Sequence, residues 1–377
     1  MRLNVAVVCR GGPENGPFSA QAFSTIRKGL KQNGSDVAAI FAVSGSVPTA
    51  LLGCVGEEDR LCKIWQNLTP EDIVGIKYLP PPKNRFDGAL RKAGNIFRIT
   101  NITTRMMLKG NAFSYTTLRN LLTRSCNLDK MFSPEAIPFK ITAVDYFTAK
   151  RVVFSNRIPE HKECIIEGAL GSMCLVPWFP SPTIPEAKRL KLLEEPHAEV
   201  DGVFLVDGAY RGGLLLEDAI RDPDEYDLIF VVDLHGLHIG AVDLKEYNDL
   251  PHRIQRISSI MTDTNDSVTM KLVDRINEEV IIEQMLKELK KDLPVGSAEK
   301  LEAVIKRMNE GRLRLRDKNE AKIVHIASPR KNLSFDFTKF TSVDILKLMH
   351  AGHMAALKSL HELGMDTRGL PLIDPSS

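Results

Sequence analysis

Val37-Ala38-Ala39-Ile40-Phe41-Ala42-Val43, then Ser44-Gly45-Ser46, then Val47-Pro48-Thr49-Ala50-Leu51-Leu52 is the stretch that decides how this chain folds. Seven consecutive apolar residues, several of them β-branched or aromatic, suit a strand buried on both faces, as in a parallel sheet. Three small residues leave room for one sharp turn, and Val47 to Leu52 starts a helix. Upstream, Leu3 to Cys9 reads as another buried strand. The loop after it, Gly11-Gly12-Pro13-Glu14-Asn15-Gly16, is expected to be neither helix nor strand. Ser19 to Lys31 sets Ala22, Ile26 and Leu30 on one helical face, and Asn33-Gly34 ends it. Strand, loop, helix, strand, turn, helix is the pattern of parallel strands joined by right-handed crossovers. The expected class is α/β, three layers around a mostly parallel central sheet.

Further along, Phe139 to Tyr146, Arg151 to Ser155, Val203 to Val206, Leu228 to Asp233 and Lys322 to Ala327 read as strands. Helical spacing is found at Asp87–Phe97, Thr116–Thr123, His161–Cys174, Leu214–Ile220 and Ser342–Leu363. Thr269–Lys291 and Ala298–Asn309 are amphipathic and separated by Pro294-Val295-Gly296, which predicts a helical hairpin. There is no internal repeat or low-complexity linker. The chain is therefore read as a single domain, 1–377, with a helical insertion at 262–318 as its added C-terminal helical segment.

The 377 residues carry a net charge of +2, and 43% are hydrophobic, as in an ordinary folded chain. Near-neutral charge gives no reason to expect a nucleic-acid partner. The six cysteines (Cys9, Cys54, Cys62, Cys126, Cys164 and Cys174) form no C-x-x-C pair, which argues against a zinc ribbon or dithiol site and for a reducing compartment. Cys9, Cys54 and Cys174 read as small core residues. Val5 to Val8 is too short for a signal and is cut off by Arg10-Gly11-Gly12. No apolar stretch approaches the ~20 residues of a membrane span. The expectation is a cytoplasmic protein, with peripheral membrane contact left open.

A serine hydroxyl is a poor nucleophile near neutral pH. It needs a base, exposure, and donors for the oxyanion that it creates. Ser44 ends a strand at a tight turn, which holds a side chain above the sheet edge, and Ala42, Gly45 and Ser46 are small enough to permit the turn. The helix from Val47 directs its N-terminus at the same place, favouring negative charge. The plainer alternative is that Ser44 or Ser46 merely caps that helix. Exposed N–H groups in the Gly11–Gly16 loop suit an anion or oxyanion. Its spacing fits neither a dinucleotide fingerprint nor a Walker A loop. A tight turn without a ligand is the alternative there. Asp207-Gly208-Ala209, after Val203-Phe204-Leu205-Val206, is by default a turn.

Taken together, Gly11-Gly12-Pro13-Glu14-Asn15-Gly16, Val43-Ser44-Gly45-Ser46 and Asp207-Gly208-Ala209 resemble, in order and spacing, the three signatures of the patatin-like phospholipase family. Ile137-Pro138-Phe139 to Phe154 is similar to the family's central hairpin. Gly168 to Pro182, containing Val176-Pro177-Trp178-Phe179-Pro180, is similar to the segment before its aspartate. Phe335-Asp336-Phe337 before a helix is similar as well. The resemblance covers roughly residues 1–260 and 320–365; the charged helical stretch between has no match. It implies a Ser–Asp dyad with Ser44 as nucleophile and Asp207 as base, oxyanion donors at the Gly11 and Gly12 N–H groups, and a phospholipid or other lipid ester as substrate. Three departures stand out: Pro13 replaces a glycine and has no N–H, Asn15 replaces an arginine, and Ala42 and Ser46 replace the elbow's outer glycines. One lost oxyanion donor costs ~2.7–4 kcal/mol. A catalytically weak or inactive lipid- or partner-binding homologue is therefore the alternative, and an esterase or thioesterase for soluble substrates is a third reading.

Two other features stand out in the sequence. Asp233-Leu234-His235-Gly236-Leu237-His238 reads as a polar loop, with a metal site or a histidine triad through His235 or His252 as alternatives. No cofactor is expected. Residues 77–124 hold ten basic residues against one acidic residue, Asp87. This stretch is either a solvated face or a surface for anionic lipid headgroups, anchored by Phe86, Phe97, Phe113 and Tyr115. Arg312 to Arg316 reads as a strand or turn with one charged face.

Overall fold

The computed structural model describes residues 2–74, 113–176, 178–185, 192, 202–211, 215–224, 226–234, 297, 322–328 and 340–370. The predicted helices at 87–97, 269–291 and 298–309, the 262–318 insertion apart from Ser297, Arg312–Arg316, Phe335–Phe337, and His235, His238 and His252 all lie outside them.

The architecture is mixed α/β around a central sheet. Its strands are β1 (Asn4–Cys9), β2 (Asp36–Val43), β3 (Phe139–Asp145), β4 (Arg151–Ser155), β5 (Thr183–Ile184), β6 (Val203–Asp207), β7 (Leu228–Val232) and β8 (Lys322–Ile326). Hydrogen-bonded neighbours run β5-β6-β3-β2-β1-β7-β8, with β4 added to β3. β3, β2, β1, β7 and β8 are parallel to one another; β4 and β6 are antiparallel to β3. Strand residues alternate between two faces. Val5, Val7 and Cys9 enter the larger core beneath α1 (Asn15–Gln32), while Ala6, Val8, Phe41, Ile229 and Val231 pack with α8 (Leu216–Ile220) and Tyr226 on the other face. The long helix α9 (Ser342–Glu362) starts from a capping box of Thr341 and Asp344 and lies along α1. Contact is closest at Gly352, where a Cβ would fall 2.3 Å from the Phe18 carbonyl oxygen.

The helix α1 begins at Asn15, four residues earlier than expected, so part of the glycine loop is already helical. The first turn of a helix leaves its N–H groups unpaired in any case, so Gly16 and Pro17 are tolerated there. Among the described residues α3 (Glu58–Asn67) and α4 (Pro70–Val74), which follow α2 (Val47–Gly53), carry no sequence-based expectation, and neither does the single turn Leu128–Met131. Buried Arg27 of α1 holds α3 through Glu58, 3.0 Å away, and also grips Asp36 of β2. The predicted helix over His161–Cys174 divides into a 3₁₀ turn, Pro159–Glu163, and α7 (Ile165–Ser172). Among the described residues the remaining helices are α5 (Thr116–Ser125) and the single turn α6 (Leu128–Met131).

The sheet register explains how distant residues meet. β3 pairs with β4 along Lys140–Val144, which occupies one of its two edges. β2 pairs with Phe139–Thr142, and β6 pairs with Ala143–Asp145. Both overlap β4, so both must use the opposite edge. β2 runs up that edge and ends with Val43 beside Thr142; β6 runs down it and ends with Asp207 beside Ala143. The two strands meet head to head. The serine and the aspartate thus come from the ends of collinear strands of opposite direction. Gly208 makes the junction sterically possible, because a Cβ there would lie 2.2 Å from the Thr142 carbonyl oxygen.

Candidate active site

At this junction Ser44 Oγ donates to Asp207 Oδ2 over 2.7 Å. Both side chains are buried, Asp207 completely. Ser44 adopts φ +54°, the left-handed region that non-glycine residues seldom occupy. Such strain costs of order 1–3 kcal/mol and persists only where the surroundings enforce it. Here its backbone N–H donates to Ser172 Oγ at 2.9 Å. Ser172, at the end of α7, had no sequence signal, because a serine in a small-residue helix looks like filler. The capping alternative does not describe either elbow serine, since the start of α2 has no side-chain cap and Ser46 Oγ donates instead to the Arg10 carbonyl.

Asp207 Oδ1 accepts the Ala209 N–H at 2.9 Å, and the Asp207 N–H donates to the Cys174 carbonyl. Burial raises the carboxyl from 3.8 to about 7, with the hydrogen bonds from Ala209 and Ser44 opposing it. A carboxylate kept this basic can accept a proton from a hydroxyl.

The glycine loop packs on the same spot. A Cβ on Gly11 would stand 3.1 Å from Ser44 Cβ, and Gly12 has φ +118°, a conformation suited to glycine. Gly45 packs against the Gly12–Pro13 segment so closely that a Cβ would be 2.2 Å from the Gly12 oxygen. Gly45→Ala is expected to destabilise the fold by about 1–3 kcal/mol through overpacking, seen as a lower midpoint in chemical denaturation with an unchanged slope. Asn15 fills its place beneath this loop. It is buried, donating from Nδ2 to the Gly11 oxygen at 2.7 Å while Oδ1 accepts the Leu234 N–H at 2.7 Å. Arg10, beside it, forms a buried ion pair with Asp233 at 2.6 Å. Asp233 is therefore engaged with a cation, and among the described residues no group of three His, Cys, Asp or Glu side chains could hold a metal ion.

Ser44 opens on a cavity of about 100 Å³ whose lining also includes Pro13, Gly45, Leu61, Ile64, Trp65, Leu118, Leu122 and Phe179. Ser44 and Ser125 supply the hydroxyls in a lining that is otherwise hydrocarbon, aromatic, backbone and the Met173 thioether. α3 and α5 form much of the wall. Such a cavity suits an alkyl chain and rejects a charged one.

One sequence expectation is corrected here. Phe113 and Tyr115 are not surface anchors. Both are buried, Phe113 stacking on Trp178 and Tyr115 on Phe179, because their rings complete the wall behind the cavity. Arg119, within the same basic stretch, pairs with Glu167. Phe86 and Phe97 lie outside the described residues, as does the stretch from 77 to 112. Cys9 and Cys174 are buried, and burial pushes both thiols up to about 12, so neither is a ready thiolate nucleophile. Among the described residues no helix is long and apolar enough to cross a membrane.

No family model matches the sequence, and no curated protein matches it. Among solved structures the chain is similar to the crystal structure of VipD from Legionella pneumophila, with 11% identity and a TM-score of 0.38, covering 96% of this chain and 67% of that one. A likeness of this strength assigns neither fold detail nor function.

Proposed function

We propose that the protein is a serine acyl hydrolase acting on a lipid ester, of the patatin-like kind, with Ser44 as nucleophile and Asp207 as its base. The observation that carries this reading is the 2.7 Å hydrogen bond between Ser44 Oγ and a fully buried carboxylate at an apolar cavity. As Ser44 Oγ attacks the ester carbonyl carbon, its proton passes to Asp207. The carbonyl electron pair moves to oxygen, which the Gly11 and Gly12 N–H groups receive. Collapse of this intermediate expels the alcohol, which takes the proton from Asp207. A water molecule, deprotonated by Asp207, then attacks the acyl-enzyme and frees the fatty acid and Ser44. The acyl chain occupies the cavity between α3 and α5.

The base works only when ionised. Asp207 holds its proton below about 7, so kcat/KM is expected to rise with pH through that region and level off above it. A p-nitrophenyl ester series at pH 5–9 measures this and also reads acyl preference. Turnover that is independent of pH across the series contradicts Asp207 as base. Pro13, which contributes no N–H, favours a second reading as a lipid-binding scaffold without turnover. Saturable fatty-acid binding by a folded protein that hydrolyses no ester selects that reading.

A further inference from the structure

Two of the departures from the patatin-like signatures, Ser46 and Asn15, hold adjacent peptide groups of the glycine loop. Ser46 Oγ donates to the carbonyl of Arg10, which belongs to the same peptide group as the Gly11 N–H. Asn15 Nδ2 donates to the carbonyl of Gly11, in the same peptide group as the Gly12 N–H. In a planar trans peptide the C=O and N–H point in opposite directions, so holding the oxygen aims the hydrogen. Among the described residues neither glycine N–H makes a hydrogen bond of its own.

Each clamp is itself anchored. Ser46 is fully buried, with Ser19 Oγ 3.2 Å from its hydroxyl. Asn15 is fixed at its other end by the Leu234 N–H, just beyond β7. A glycine at position 46 has no hydroxyl with which to hold Arg10. An arginine at position 15 has no acceptor for Leu234.

We propose that Ser46 and Asn15 are positioning residues that preset the Gly11 and Gly12 N–H groups as oxyanion donors, replacing a loop held by glycines and an arginine. The proposal rests on the hydrolase reading above. It also turns two apparent losses into a substitute device, since donors held in advance need no reorganisation when charge develops.

The test uses Ser46→Ala, Ser46→Thr and Asn15→Asp in the full chain. Asn15→Asp keeps the acceptor for Leu234 and removes the donor to Gly11. Two quantities are read: kinetics on p-nitrophenyl butyrate, and amide hydrogen exchange of the peptide spanning residues 10–16. For Ser46→Ala and Asn15→Asp, kcat is expected to fall roughly 10–100-fold, less than removing an oxyanion donor outright. KM and the pH midpoint for Ser46→Ala stay within about twofold and about 0.3 unit of wild type, because substrate and Asp207 are untouched. Exchange at residues 10–16 accelerates, and Ser46→Thr, which keeps a hydroxyl, recovers part of the rate. A lowered melting temperature with unchanged kcat overturns the proposal by making Ser46 merely structural. If the wild type shows no turnover, the hydrolase reading fails separately. Exchange then decides the clamp, and unchanged protection of residues 10–16 in Ser46→Ala and Asn15→Asp refutes it.

Discussion

Ser44→Ala is expected to lower kcat/KM for ester hydrolysis by roughly 10⁴-fold or more, leaving a folded protein. The substitution removes only Oγ, and the backbone hydrogen bond to Ser172 that fixes the elbow remains available. What disappears is the atom that forms the acyl bond, and among the described residues no other side chain adjoins both Asp207 and the cavity with a comparable nucleophile. The loss also affects the carboxyl, because the Ser44 hydroxyl stabilises its ionised form. Asp207 in the variant is driven further up. Steady-state kinetics alongside circular dichroism check this. Turnover retained by purified, folded Ser44→Ala places the nucleophile elsewhere.

Asp207→Asn is expected to combine a large loss of activity with a gain in stability confined to higher pH. A positioned general base contributes about 10²–10⁴-fold, and the isosteric amide cannot accept the proton. The stability argument follows from the carboxyl lying at 3.8 when free and about 7 when buried. Between those values the folded wild type holds a proton that the unfolded chain has released. Wild-type stability therefore declines as pH rises through this window, by at most about 4 kcal/mol. The amide does not titrate, so the variant escapes the decline. The two proteins should be nearly matched near pH 4. By pH 8 the variant should melt roughly 4 °C higher, given the entropy of unfolding a chain of this size. Equal melting temperatures at both pH values would mean that Asp207 is ionised at little cost, which removes the reason for it to act as a base.

Much of this arrangement is legible in the residues, because the chemistry is local at each end. The apolar run of β2, the small residues around Ser44 and the glycine loop after β1 each constrain their own segment. The Ser44–Asp207 contact depends on something no local pattern encodes. β6 takes over the β3 edge at the residue after the one where β2 leaves it, and a one-residue slip would turn Asp207 to the other face. Ser172, Ser46 and Asn15 were opaque for a related reason. Small polar residues have ordinary roles in helices and turns, and only the fold reveals which backbone groups each one holds. The cavity wall was missed because α3 and α5 are amphipathic helices whose apolar faces look like any core-facing stripe. The same ambiguity made Phe113 and Tyr115 look like surface anchors when both are buried against Trp178 and Phe179.

Reaction of the intact chain with an alkyl fluorophosphonate at pH 8, followed by peptide mass mapping, tests the pairing of Ser44 with Asp207 most directly. Attack by a serine oxygen forms an O–P bond and expels fluoride, so the label marks an activated hydroxyl without requiring the natural substrate. The expected result is a single adduct on Ser44, absent from Ser44→Ala and formed at least roughly 100-fold more slowly in Asp207→Asn. A folded wild-type protein that takes up no label, or carries it on another residue, contradicts the account.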